Sequence, residues 1–257
     1  MTAILQPIGR TFLNGLSAMG RLTLFALVAV RHCVTPPFYP RLLLRQMVEI
    51  GYYSLPYVGM TAVFTGMVLV LQTVSGFNFN AEGVMPQIVV LSLTRELGPV
   101  LGALIVAGRI GASMAAEIGT MRVTEQIDAL STLSTNPFKY LIAPRLWAGV
   151  TMLPLLVGVA DIIGILGGYF VSVHKLGFNE GAFLKNITEA ATFIDVFSGL
   201  VKAAVFGFTI TLMGCYHGFN SKGGAQGVGK ATTNAVATSM ILILILDYIL
   251  TELFFSR

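Results

Sequence analysis

The sequence predicts an all-α membrane protein: an N-terminal interfacial helix, five transmembrane helices and a short helix on the cytoplasmic side. Three observations carry that expectation. Only 11% of the 257 residues are charged and 55% are hydrophobic, whereas soluble domains carry roughly 25% charged residues. The apolar residues gather into stretches that approach or exceed the ~20 residues a spanning helix needs. The Lys and Arg residues fall largely between those stretches and mostly on one set of alternate connections. That is how cytoplasmic basic residues orient a chain. A water-facing surface would require the missing charge, so much of this surface must face lipid.

Taken in order, residues 1–40 form an amphipathic N-terminal unit. Their longest unbroken apolar run, Leu24–Val30, is too short to span. Phe12, Leu16, Met19 and Leu22–Leu24 recur near helical spacing with Arg10, Arg21 and Arg31 between them, which suits a helix lying in the interface. No small-x-small cleavage site follows, which argues against a signal peptide. The run Thr35-Pro-Pro-Phe-Tyr-Pro40 then breaks any helix.

Residues 41–257 form the second unit, with spans expected at about 52–74, 84–107, 146–173, 199–216 and 235–255. A polar loop, Ser75–Gly83, closes the first span, and Arg95 and Glu96 interrupt the second. Residues 108–143 read as a mixed connection. The third span carries Gly158, Gly164, Gly167 and Gly168, which permit close helix approach. With the N-terminus inside, segments 1–51, 108–147 and 216–230 hold eleven basic residues, and the outer segments hold three, Lys175, Lys185 and Arg257. The expected topology is a cytoplasmic N-terminus and an outer C-terminus.

Several function classes drop out. The net charge of +4 is scattered, with no basic arm or stripe for nucleic acid. Cys33 and Cys215 lack any disulfide or zinc spacing and read as packing thiols. Gly224–Lys230 has the spacing of a phosphate-binding loop. However, Ala231 stands where a magnesium-binding hydroxyl belongs, and a membrane helix precedes it in place of a strand. It reads as a flexible inter-span loop. His32, His174 and His217 lie on different segments, which disfavours a membrane-embedded lipid-modifying enzyme. Inverted repeats with broken helices, expected of an ion-coupled carrier, are not evident. No catalytic residue and no metal ligand is assigned.

The unusual stretch is Arg95–Leu130. An ionised side chain at mid-membrane costs about 2.5–3.5 kcal/mol, so Arg95 and Glu96 are functional candidates by default. As helix neighbours they point about 100° apart and need not pair. Farther on, Arg109 and Glu117 sit among small residues and need partners or water. Thr124 is placed to cap a short helix, with Ile127, Leu130 and Leu133 forming its apolar row and Asn136-Pro137 stopping it. Such a helix offers Glu125, Gln126 and Asp128 to water or a partner. Asp161 and Asp247 also lie within spans; a proton relay is one reading, and interhelical hydrogen bonding or a place near a membrane face is the favoured one.

The ordered set Leu93-Thr-Arg-Glu-Leu-Gly-Pro-Val100, Ala107-Gly-Arg109, Ala116-Glu-Ile-Gly119, Met121, Thr124-Glu-Gln-Ile-Asp-Ala-Leu130, Asn136-Pro137 and Pro144-Arg145 resembles the signature of the MlaE (YrbE) family. These are permease subunits of ABC-type lipid transporters of Gram-negative envelopes, with relatives in actinobacteria and chloroplasts. The similarity runs from about Arg41 through Lys230-Ala-Thr-Thr233 to the last span. It implies a homodimer in the bacterial inner membrane that moves phospholipid to or from a periplasmic ring and so maintains outer-membrane lipid asymmetry. The implied partners are a cytoplasmic ATPase (MlaF-like) that binds the ATP and magnesium, a STAS-domain protein (MlaB-like) and a hexameric periplasmic MCE protein (MlaD-like). No cofactor is implied in this chain. The resemblance places lipid in a cavity lined by the first two spans, with Leu69, Thr73, Phe77, Arg95, Glu96 and Leu97 as facing candidates. It maps the ATPase-coupling helix onto about 122–133, with Glu125, Gln126, Ile127, Asp128 and Leu130 as its coupling residues.

Overall fold

The computed structural model describes residues 2–76 and 81–256, apart from the side chains of the first twelve residues, Asn14, Ala81 and Glu82. Phe77 lies outside the described residues. The described chain is helical throughout, and six of its helices are long and apolar enough to cross a membrane.

The first helix, α1 (Thr2–Val34), includes one of these six. Its window, Gly15–Val34, has the lowest mean hydropathy, 1.2, against 1.7–2.1 for the others. Its described contacts fall on one end of the bundle. Phe25 packs on Phe138, Tyr216 and Phe219, and the Trp147 indole donates to the Cys33 carbonyl. The chain breaks at the prolines and resumes in α2 (Pro40–Ile50), with Pro40 in its first turn, where a missing N–H costs nothing. Leu43, Met47 and Ile50 share one face of α2 and join the central core. A 3₁₀ turn at Tyr52–Ser54 links α2 to α3 (Leu55–Gly76).

The second span differs most from expectation. Helices α4 (Ala81–Ser92), α5 (Gly98–Val106) and α6 (Ala112–Val123) follow one another without a loop, joined by π-helical turns at Leu93–Leu97 and Ala107–Gly111. The helix does not end at the expected boundary near residue 107, because nothing between Ala107 and Val123 breaks it. From Arg95 to Arg122 the rise is about 40 Å, more than the ~30 Å of hydrocarbon in a bilayer. Arg95 and Arg122 therefore cannot both lie in the hydrocarbon core, and Arg109, about 21 Å along the axis from Arg95, lies between them.

The short α7 (Gln126–Thr132) turns back, and α8 (Ala143–Phe170) crosses again, flanked by π-turns at Phe138–Ile142 and Val171–Lys175. An outer helix, α9 (Glu180–Ala190), is capped by the Asn179 side chain and packs on α4. The pair α10 (Phe193–Phe219) and α11 (Gly224–Phe255) completes the bundle. The Gly224–Lys230 stretch is the first two turns of α11 and not a flexible loop. Val228 and Ser221 both pack on Gly119, and Gly227 sits against the Lys222 carbonyl where a Cβ has no room.

Neighbour pairs fix the directions. Gly51 lies beside Met152, Gly66 beside Gly164 and Gly168 beside Val70, so α3 runs parallel to α8. Gly149 meets Gly207 and Gly158 meets Leu200, so α10 runs antiparallel to α8. At Gly149 and Gly207 each backbone presses its carbonyl on the other, and a side chain at either would force them apart.

Candidate functional site

One end of the bundle gathers most of its buried charge, and a proline explains how. In an α-helix the N–H of residue 99 would bond the carbonyl of Arg95, but Pro99 has no N–H. The chain opens into the π-turn Leu93–Leu97, with Gly98 N–H donating to Leu93. The freed Arg95 carbonyl accepts from Lys202 Nζ at 3.0 Å, as a buried carbonyl must find a donor.

Lys202 is 0% exposed and also reaches Glu96 Oε2 at 2.8 Å, Asp247 Oδ1 at 3.0 Å and Thr251 Oγ1 at 2.6 Å. Thr251 donates onward to Glu96. Arg95 turns the other way, as its place in the helix requires. Its guanidinium bonds Asp195 Oδ1 at 2.7–2.8 Å and lies 4.4 Å over the Phe255 ring. Asp195 closes a capping box with Thr192 at the start of α10. The cluster joins two cations to three carboxylates, so with every group ionised it carries one excess negative charge. Arg95 keeps 36% of its side chain exposed while Asp195 is buried.

Among the other lipid candidates, Leu69 and Leu97 are brought into one apolar cluster with Val70, Met85 and Leu93. Thr73 is half-buried and donates to the Leu69 carbonyl. Leu97 also lines a cavity of about 20 Å³, room for one water, between α3, α5 and α8. Asp161, buried on α8, sits against Gly98 with its Oδ1 unpartnered. Sequence reasoning did not join Asp195, Lys202 and Asp247 to Arg95 and Glu96. The Thr192-x-x-Asp195 pattern was a readable capping signal, and a lysine inside a span calls for carboxylates.

At the opposite end α7 is shorter than the expected 122–133. Thr124 does not cap it: its hydroxyl donates back to the Thr120 carbonyl and ends α6. Glu125 takes the cap position in left-handed conformation, φ 61°. Ile127, 1% exposed, is buried with Ile118, Leu141 and Leu146, and Leu130 packs against the same cluster. Glu125, Gln126 and Asp128 face outward. Asp128 remains 61% exposed while bonding Arg122 at 2.6 Å. Beside this helix the buried Arg145 ties α8 to Glu117 of α6 at 2.7 Å and to the Leu141 carbonyl. Within the span, Arg109 is held by Ser54, the Glu49 carbonyl and carboxylate, and the Tyr57 ring.

A helical bundle with six bilayer-length helices among the described residues, and with charges paired between helices, defines a multi-pass membrane protein. The family described as Permease MlaE matches residues 43–253, and the chain belongs to that family. A probable ABC transporter permease protein of Rickettsia prowazekii is 53% identical over 98% of both chains. A probable ABC transporter permease protein of Synechocystis is 44% identical over 83% of this chain and 81% of its own. The intermembrane phospholipid transport system permease protein MlaE of Haemophilus influenzae is 36% identical over 98% of this chain and 97% of its own. The chain is accordingly a permease of this family.

Proposed function

We propose that this permease moves phospholipid between the inner membrane and a periplasmic MCE ring, driven by a separate ATPase, and so maintains outer-membrane lipid asymmetry. The observation that carries the reading is the near full-length similarity to the Haemophilus phospholipid transport permease. Two copies enclose the lipid between their first two spans. Leu69, Thr73, Leu97 and Phe77 meet acyl chains, and the exposed part of Arg95 meets phosphate, with Glu96 fixing the cluster that orients it. The N-terminus and α7 are cytoplasmic, α1 lies in the interface, and the C-terminus is periplasmic. The count of basic residues at the α1 end supports this topology.

At the cytoplasmic face, Glu125, Gln126 and Asp128 meet the ATPase, while Ile127 and Leu130 anchor α7 so that a push is passed into α6. ATP and magnesium are bound by that MlaF-like partner, with an MlaB-like STAS-domain protein beside it and a hexameric MlaD-like protein above. Purification in mild detergent with mass spectrometry of co-eluting chains and lipids tests the reading. An ATPase, an MCE protein and bound phospholipid are expected. Their absence from an intact, monodisperse permease would overturn it.

A further inference from the structure

A second cavity lies at the α1 end, on a different part of the molecule from the Arg95–Lys202 cluster. It is a groove of about 520 Å³ between the end of α1, the proline linker, the start of α2 and the start of α8. That volume falls in the range of small-ligand sites, about 300–1,000 Å³. Its walls include Cys33, Pro37, Leu43 and Trp147. Beside it Val34, Phe38, Leu44, Val48 and Trp147 are exposed large apolar side chains, so the groove opens onto surface suited to lipid and not to water. Trp147, 46% exposed with its N–H bonded to Cys33, is the side chain expected at a membrane interface.

The groove is lined by the cation Lys139 and by His32 and Tyr39, and by no carboxylate. Lys139 Nζ donates to the Pro36 carbonyl and makes no ion pair among the described residues. The His32 Nδ1 is buried without a hydrogen-bond partner. Arg31 and Arg41, next in sequence to the lining His32 and Pro40, are exposed and also unpaired among the described residues. At the other end of the bundle each buried cation has its carboxylate.

We propose that this groove binds an anionic phospholipid of the surrounding leaflet as a structural ligand, separate from the transported lipid. One acyl chain lies along Leu43 and Trp147, and the phosphate is held by Lys139 with His32 and Arg31. The site selects against zwitterionic lipid, because a choline or ammonium group would meet the charges of Lys139 and Arg31 and no carboxylate there. The bound lipid joins α1, through His32, to the start of α8, through Lys139, and so seats the N-terminal helix on the bundle.

Trp147 is the only tryptophan in the chain, so its fluorescence reports this groove alone. The full chain is reconstituted in phosphatidylcholine bilayers containing a fixed fraction of acyl-brominated phosphatidylglycerol or acyl-brominated phosphatidylcholine. Quenching should show about fivefold or greater preference for the anionic lipid, the size expected of one to two basic contacts. Lys139→Gln with Arg31→Gln should equalise the two lipids, and Lys139→Arg should keep the preference. Lys222→Gln with Lys230→Gln removes the same charge elsewhere at this end and should leave it intact. Equal quenching in the unaltered chain overturns the proposal, as does a preference that survives the Lys139–Arg31 change or vanishes with the Lys222–Lys230 change. Quenching abolished on adding the soluble partner chains would assign the groove to protein.

Discussion

The two ends of the continuous helix from α4 to α6 carry the same residue types in different settings. At the Arg95 end, acid and base from three helices close on one another, with Lys202 wholly buried. At the Arg122 end, Asp128 and Glu125 stand in the open on a seven-residue helix that is anchored by apolar side chains. Buried charge is expensive to disturb, since removing one partner strands the other in low dielectric. Exposed charge contributes about 0–1 kcal/mol per pair. The first arrangement suits a fixed frame and the second a replaceable contact.

The sharpest way to break this contrast is Lys202→Met, which leaves Glu96 and Asp247 without their cation. A destabilisation of about 3–5 kcal/mol is expected, read as a lowered unfolding midpoint in detergent. Adding Glu96→Gln and Asp247→Asn should recover most of it, because a neutral set needs no cation. A triple variant as unstable as the single one would refute uncompensated charge as the cause. Next in size is Asp195→Ala, which removes a helix cap worth about 0.5–2 kcal/mol together with the Arg95 pair. Its loss should show as faster hydrogen exchange in the first turns of α10.

At the other end Glu117→Ala should cost about 1–2 kcal/mol. It removes a charged hydrogen bond that solvent already weakens, because Glu117 is half-exposed while Arg145 keeps the Leu141 carbonyl. The smallest stability effect, within about 0.5 kcal/mol, is expected for Glu125→Lys with Asp128→Lys. That variant should nonetheless lose ATPase co-purification and lipid transport in proteoliposomes. Intact coupling would remove these side chains from the proposed motor contact.

The helical membrane class was legible because composition and apolar run length depend on the lipid, which acts on every residue alike. The break at the prolines between α1 and α2 was legible for a local reason, since Pro40 cannot continue a helix. The length of the second helix was not: residues 108–123 are polar enough to resemble a loop, and their packing on α10 and α11 is a long-range fact. The same blindness affected the charge cluster. Arg95, Glu96, Lys202 and Asp247 were each visible inside apolar stretches, but which helix faces which is a long-range fact. Ile127 shows the converse. Its place in an otherwise polar helix identified the apolar row, and the structure shows that row to be an anchor.

The bond from Lys202 to the Arg95 carbonyl also bears on biogenesis. Leaving the insertion machinery alone, α10 would carry an unpaired lysine into lipid, at about 2.5–3.5 kcal/mol on insertion scales. The α4–α5 segment would carry a carbonyl that Pro99 has left without its donor. Neither defect is cured until both segments are present, and α11 must follow with Asp247 and Thr251 before the lysine is fully satisfied. The chain is thus built to reach the bilayer as a set of helices, with the last to be synthesised completing the fit of the others.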